Sequence, residues 1–252
     1  MLYIIGLGLY DEKDITLRGM QALKNCKKIY AEFYTNLWHG NIENLEKMSG
    51  NKIKILNRGI IEETPEEFLN FAKTEDTALL IPGDPLAATT HIDLVLRAEK
   101  QGIPVKIIHS SSIFSAVGET GMQIYKFGKT TSIVFPEKNY FPESPYDALC
   151  SNLKMNLHTL FLLDVKYDES RYMTVNNGIE ILLQIEKKRA AGIFTEKTLC
   201  VGCARLGGEE EIKYGTAKEL MRHDFGAPPH ALIVPAKLHF VEEEALLRYK
   251  IQ

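Results

Sequence analysis

The segment Thr77-Ala78-Leu79-Leu80-Ile81-Pro82, running straight into Gly83-Asp84-Pro85, constrains the fold more than any other stretch of this chain. A nearly unbroken apolar run of strand length offers no polar alternation to solvent, so it reads as a β-strand buried on both faces. Such strands belong to parallel sheets covered by helices. The surroundings agree. Residues 2–7 read as a first strand, and Leu17, Met20, Leu23 and Cys26 recur after it at helical spacing, with Asp14 as the expected N-cap. Residues 28–34, 54–56 and 104–109 are further expected strands, and Ile92, Val95 and Leu96 mark a helix. Strands alternating with helices predict right-handed βαβ units around a parallel sheet.

The pattern changes after about residue 113. A Gly-rich segment spans 115–130, and strands are expected at 131–135, 158–163, 198–204, 211–214 and 231–234. Helices are expected at 146–157, 176–188 and 241–249. The run from Cys200 to Tyr214, with Gly207-Gly208 between its apolar ends, predicts a hairpin and hence a partly antiparallel second sheet. The expected architecture is two α/β domains. Residues 1–113 form a parallel, Rossmann-like N-terminal domain and residues 114–252 a mixed C-terminal one, with a ligand cleft at the hinge.

Composition narrows the function classes. Hydrophobic residues are 45% of the 252, enough for two cores. Thirty basic against 33 acidic side chains leave a net charge of −3, which argues against a nucleic-acid surface. No apolar run approaches the roughly 20 residues that span a bilayer. The N-terminus lacks the basic region and long apolar stretch of a signal peptide, so a cytoplasmic protein is expected. Of the four cysteines, Cys200 and Cys203 form a CxxC, but it lies in a strand-like run with no second ligand pair. It reads as two small buried residues rather than a metal or redox site, and no metal is expected.

Two loops carry the chemistry. Gly6-Leu7-Gly8-Leu9 closes the first strand and permits a tight turn with close approach of a ligand to the backbone. A nicotinamide site is one rival, with Glu32 as the ribose-binding acid. The third glycine of GxGxxG is absent, however, since position 11 is Asp, and the helix starts late. The Gly83-Asp84-Pro85 turn holds Asp84 at the carboxyl end of a parallel strand, where open α/β sheets bind ligands. Ala87 and Ala88 leave room beside it, and Thr90 is a candidate cap for the next helix. A carboxylate there suits an amine or a sulfonium, not a phosphate. Ser110-Ser111-Ser112 either offers hydroxyls to a ligand or caps a helix.

With these residues in place, residues 6–9, Gly83-Asp84-Pro85 and residues 111–113 resemble the tetrapyrrole-methylase-like, class III, S-adenosylmethionine-dependent methyltransferases. Longer matches at residues 11–19, 83–91, 115–118, 121–130, 159–166, 204–207 and 228–234 narrow this to the diphthine-forming branch of that family. The resemblance implies two α/β domains with the cofactor S-adenosyl-L-methionine in the cleft between them, and a homodimer. It implies a protein substrate, elongation factor 2, whose histidine already carries a 3-carboxy-3-aminopropyl group. Successive methylation of that amino group gives diphthine in diphthamide biosynthesis, with three additions favoured by the short chain. It assigns to the cofactor Leu9, Asp84, Ala87, Ser112, Ile113, Leu163, Leu206 and Ala231. The last three read as core residues without it. Tyr10 departs from the small residue usual after Gly-Leu-Gly-Leu. No catalytic residue is assigned, and His91, His109 and His230 read as structural. A tetrapyrrole- or corrinoid-precursor methyltransferase and a non-catalytic adenosylmethionine-binding module remain the alternatives.

Overall fold

The computed structural model describes residues 1–251. The chain divides into two compact units, Met1–Phe114 and Ser115–Gln252.

The first unit alternates β1 (Leu2–Gly6), α1 (Leu17–Asn25), β2 (Lys28–Ala31), α2 (Ile42–Ser49), β3 (Ile53–Ile55), α3 (Arg58–Glu62), α4 (Glu66–Thr74), β4 (Thr77–Ile81), α5 (Ile92–Lys100) and β5 (Val105–Ile108). Its five strands pair in the order β3-β2-β4-β1-β5, all parallel. β4 is buried throughout and its side chains divide between two cores. Leu79 and Ile81 pack with Leu2, Ile4, Phe68 and Leu94 on one face, whereas Ala78 and Leu80 pack with Ile5, Leu23, Ile29 and Leu45 on the other. This is the two-sided burial that its apolar run requires.

Two local expectations shift. The cap of α1 is Thr16, whose hydroxyl accepts from Gly19 N–H at 3.0 Å. Asp14 instead accepts from the Tyr10 amide at 2.7 Å and the Asp11 amide at 3.4 Å, shaping the loop before the helix. In α5 the buried stripe is Leu94, Val95 and Ala98, so Ile92 and Leu96 face solvent. Thr90 does not cap α5; its hydroxyl donates to Glu62 at 3.0 Å.

A short helix, α6 (Ile113–Ala116), carries the chain into the second unit. There follow β6 (Thr131–Ile133), α7 (Ser144–Lys154), β7 (Thr159–Leu163), β8 (Val165–Lys166), β9 (Arg171–Tyr172), α8 (Val175–Arg189), β10 (Leu199–Ala204), β11 (Glu211–Thr216), α9 (Ala217–Leu220), β12 (His230–Val234) and α10 (Phe240–Leu247). The main sheet has the order β11-β10-β12-β7-β6. β10 and β11 form the antiparallel hairpin, β12 is antiparallel to both neighbours, and β6 joins β7 in parallel, making the sheet mixed. Cys200 and Cys203 are buried and free on β10; three positions apart, they point to opposite faces and cannot chelate together. Burial pushes both thiols up, Cys203 to about 12.

α10 is anchored by a buried polar cluster. Glu242 accepts from Gln123 N–H at 2.9 Å, from His239 N–H at 2.7 Å and from Lys126, and pairs with His158 Nε2 at 3.1 Å. The Ala236 amide donates to His158 Nδ1 at 3.0 Å, so Nε2 carries the proton given to Glu242.

Candidate functional site

The carboxyl ends of β1, β4 and β5 gather three loops of the first unit. Leu7 N–H donates to Ile81 O at 2.8 Å, then Gly8 and Gly83 exchange backbone hydrogen bonds of 3.2 and 2.8 Å. The glycine loop and the Gly-Asp-Pro turn are thus stitched together through main chain alone. This closeness explains two glycines. A Cβ on Gly6 would meet Gly83 O at 2.5 Å, and one on Gly8, at φ +85°, would meet the Asp14 Cβ at 2.3 Å.

Asp84 ties the third loop to the other two. Its Oδ1 accepts from Leu86 N–H at 3.0 Å, and its Oδ2 accepts from Ser110 N–H at 3.1 Å and lies 2.8 Å from His109 Nδ1. The carboxylate therefore braces the serine turn after β5 as well as facing outward, its side chain retaining 13% exposure. A carboxylate has about four lone-pair sites, so acceptor capacity is left for a ligand. Ser110 also donates its hydroxyl to Asp14 O at 3.4 Å, closing the ring of loops. Leu9, Ala87, Ser112 and Ile113 are half-buried on these same loops. Tyr10 stacks on His39 with ring centroids 4.8 Å apart.

Leu163, Leu206 and Ala231 lie in the second unit, all buried. Register explains their association. Ala231 pairs with Leu162 on β7 and with Cys203 on β10, so the end of β7, the start of β12 and the turn after β10 share one end of the mixed sheet. Arg205, at φ +51°, fixes that turn: its guanidinium donates to Phe225 O at 2.7 Å and to Ala227 O, and its own amide donates to Pro229 O at 2.9 Å. His230 is structural, accepting from Val175 N–H at 3.3 Å and bonding Ala227 O at 3.1 Å.

A second polar group, the acid that the nicotinamide reading would use, sits one strand over. Glu32 follows β2, its amide donating to Leu80 O at 3.1 Å, and its side chain is fully buried. It accepts from the Thr35 hydroxyl and from Thr35 N–H at 3.1 Å. Burial raises its pKa to about 7, against the pull of Thr35, the Tyr34 amide and Arg58. A carboxylate so enclosed does not reach a ribose, which removes the nicotinamide rival's supporting residue. His91 Nε2 lies 3.6 Å from Glu32 Oε1, beyond hydrogen-bond length. Burial lowers the His91 pKa to about 4, the Glu62 carboxylate and the Pro85 carbonyl opposing it.

The loop set fits the cofactor expected from the resemblance. The space where Gly83 would carry a Cβ is open to 4 Å. A carboxylate and a hydroxyl beside apolar side chains suit an ammonium, a sulfonium and an aromatic base better than a phosphate. Among the described residues no three His, Cys, Asp or Glu side chains are grouped to hold a metal.

Comparison with known proteins supplies the lineage. Residues 1–221 match the family model of the tetrapyrrole (corrin/porphyrin) methylases. A diphthine synthase of Methanocaldococcus jannaschii is 50% identical over 250 residues, covering 98% of this chain and 97% of that relative. One from Methanococcus aeolicus is 50% identical over 248 residues, covering 98% and 96%. A crystal structure of diphthine synthase superposes with a TM-score of 0.90 at 35% identity, covering 99% of this chain and 95% of the other. The fold, the three stitched loops and these near-full-length likenesses place the chain in the tetrapyrrole methylase family and, within it, among the diphthine synthases.

Proposed function

We propose that this protein is an S-adenosyl-L-methionine-dependent N-methyltransferase acting on elongation factor 2. It methylates in succession the amino group of the 3-carboxy-3-aminopropyl-modified histidine, forming diphthine in diphthamide biosynthesis. The observation that carries this reading is half identity to diphthine synthases across 98% of the chain. No feature of the site favours a tetrapyrrole precursor as substrate or a purely non-catalytic role.

Leu9, Asp84, Ala87, Ser112 and Ile113 of the first unit hold the cofactor in this proposal, as do Leu163, Leu206 and Ala231 of the second. The cofactor, when bound, supplies an electrophilic methyl group on a sulfonium. The chain's own contribution is orientation and exclusion of water. The glycine loop lets backbone approach the ligand, Asp84 offers a fixed negative charge, and small Ala87 leaves room. Alignment of this kind lowers a barrier by roughly 7–11 kcal/mol. The reading further includes a homodimer in the cytoplasm, organised as domains 1–113 and 114–252. No helix among the described residues is long and apolar enough to cross a membrane.

Intact mass of the modified factor after incubation with cofactor tests the reaction. Three increments of one methyl are expected, and an unchanged mass rejects it. Asp84→Ala tests the cofactor site. It removes hydrogen bonds of a charged acceptor, each worth about 1.5–3 kcal/mol. Calorimetric affinity for the cofactor is expected to fall at least tenfold, with a thermal midpoint lower by on the order of 10 °C. Unchanged affinity in the folded variant removes Asp84 from the site.

A further inference from the structure

The polar atoms left unpaired in the interior of the first unit are concentrated near α5. Neither ring nitrogen of His91 makes a hydrogen bond, although the residue is 1% exposed, and the Tyr34 hydroxyl beside it has only a loose approach to Thr90. The Tyr34 and His91 rings lie 6.3 Å apart. Glu32 Oε1 lies 3.6 Å from Nε2, and the Pro85 carbonyl approaches the imidazole without reaching hydrogen-bond geometry. Leaving such groups dry and unpaired costs about 1–3 kcal/mol each, so a ligand that satisfies them is the expected reason for keeping them.

His91 lines a cavity of about 210 Å³ together with Ile61, Glu62, Thr90, Asp93 and Leu94. At roughly 30 Å³ per water, the space admits a short polar arm and some solvent. Its chemistry is selective. Glu62 and Asp93 are acidic, and a neutral imidazole offers one donor and one acceptor. Arg58 pairs with Glu62 at 3.2 Å and Arg97 with Asp93 at 2.6 Å, so each carboxylate carries one arginine and keeps further acceptor capacity. An amine finds acceptors here, while a phosphate meets carboxylates.

The cavity's position gives the amine an identity. β2 pairs with β4 in parallel, and Glu32 and His91 flank the carboxyl end of that pair. It is the same carboxyl end of the sheet that carries the glycine loop and Asp84, with β2 next to β4. We propose that the His91 cavity is the acceptor subsite, where an imidazole nitrogen and the Glu62 carboxylate take the hydrogen bonds the amino group still offers: two before the first methyl addition, one before the second and none before the third. This rests on the methyltransferase reading above and names its amine-binding residues.

His91→Phe tests it, because the variant keeps an aromatic ring in the same space and deletes only the unpartnered nitrogens. The thermal midpoint is expected to stay level or rise, and calorimetric affinity for S-adenosyl-L-homocysteine to stay within twofold. The kcat/KM for modified elongation factor 2 is expected to fall at least 30-fold. Glu62→Gln, on a half-exposed side chain, is expected to raise KM for the factor at least fivefold with cofactor affinity unchanged. In the wild-type protein, the ¹⁵N resonances of the His91 ring are expected to shift when the modified factor is added. A kcat/KM within threefold of wild type in folded His91→Phe, or unmoved His91 resonances at saturating factor, overturns the subsite. Failure of the wild-type protein to methylate the factor overturns instead the reading on which it rests.

Discussion

Glu242→Ala is expected to destabilise the second unit by about 3–5 kcal/mol, the usual cost of stranding the partner of a buried ion pair. For a unit of this size that lowers the thermal midpoint by on the order of 10 °C. Glu242 is fully buried, and its loss leaves Lys126, the Gln123 and His239 amides and the His158 Nε2–H without their acceptor. Burial alone works against ionisation of this carboxyl. The His239 amide, Lys126, the Gln123 amide and His158 outweigh it and hold the pKa at about 2, below its ordinary 4.5. At His158 burial outweighs the carboxylate, so its pKa is lowered and the ring stays neutral. The folded pKa of Glu242 is thus depressed. Its stabilisation is fully present above pH 4.5 and is lost as the pH falls towards 2. Urea denaturation of wild type and variant at pH 7 and pH 3 checks this: the gap between them is expected to narrow in acid. A gap that is constant, or below about 1 kcal/mol at pH 7, rejects the anchoring role.

Glu32→Gln and His91→Phe are expected to change the pH dependence of stability in opposite directions. Glu32 titrates at about 7 when folded and near 4.5 when unfolded. Between those values the native state keeps a proton that the unfolded chain has lost, so this group's contribution falls as the pH rises. His91 titrates at about 4 when folded and near 6.5 when unfolded. Its contribution therefore rises with pH over that window. The two largely cancel in the wild type. Relative to wild type, Glu32→Gln is expected to gain about 3 kcal/mol between pH 4.5 and 7, and His91→Phe to lose about 3 kcal/mol between pH 4 and 6.5, at about 1.4 kcal/mol per unit. The charges around the pair are Glu62, which favours imidazolium, Arg58, which favours carboxylate, and Asp93 at the cavity wall with its partner Arg97 at 2.6 Å. All are retained in both variants. Urea midpoints at four pH values decide the matter, and difference slopes of the same sign reject the account.

The parallel sheet was legible because β4 is apolar at every position after Thr77, and the β10–β11 hairpin because glycines separate two apolar runs. Strand and helix ends were less so. Thr16 and Asp14 both have capping chemistry two residues apart, and it is Asp14 that folds back onto the Tyr10 amide, close against Gly8. The three loops of the first unit could be picked out by strand-end position, yet the bond from Asp84 to Ser110 spans 26 residues and leaves no local trace. Leu163, Leu206 and Ala231 carry no motif at all; strand register brings their segments to one sheet end, and only the family resemblance singled them out. Glu32 looked like a ribose acid only from its place in the chain. Sequence places it at a strand end but does not show that Thr35 folds back to enclose it.

The paired backbone bonds between Gly8 and Gly83 have a consequence for how this surface can vary. Because no side chain takes part, the frame is indifferent to what neighbouring positions display. Leu9, Tyr10, Leu86 and Ala87 can be exchanged to suit a different guest while the spacing of the two loops stays constant. The loops also cannot part singly, since lifting either breaks both bonds. In engineering terms they are one rigid bracket with replaceable facings, and the replaceable part is where selectivity can drift without loosening the mount.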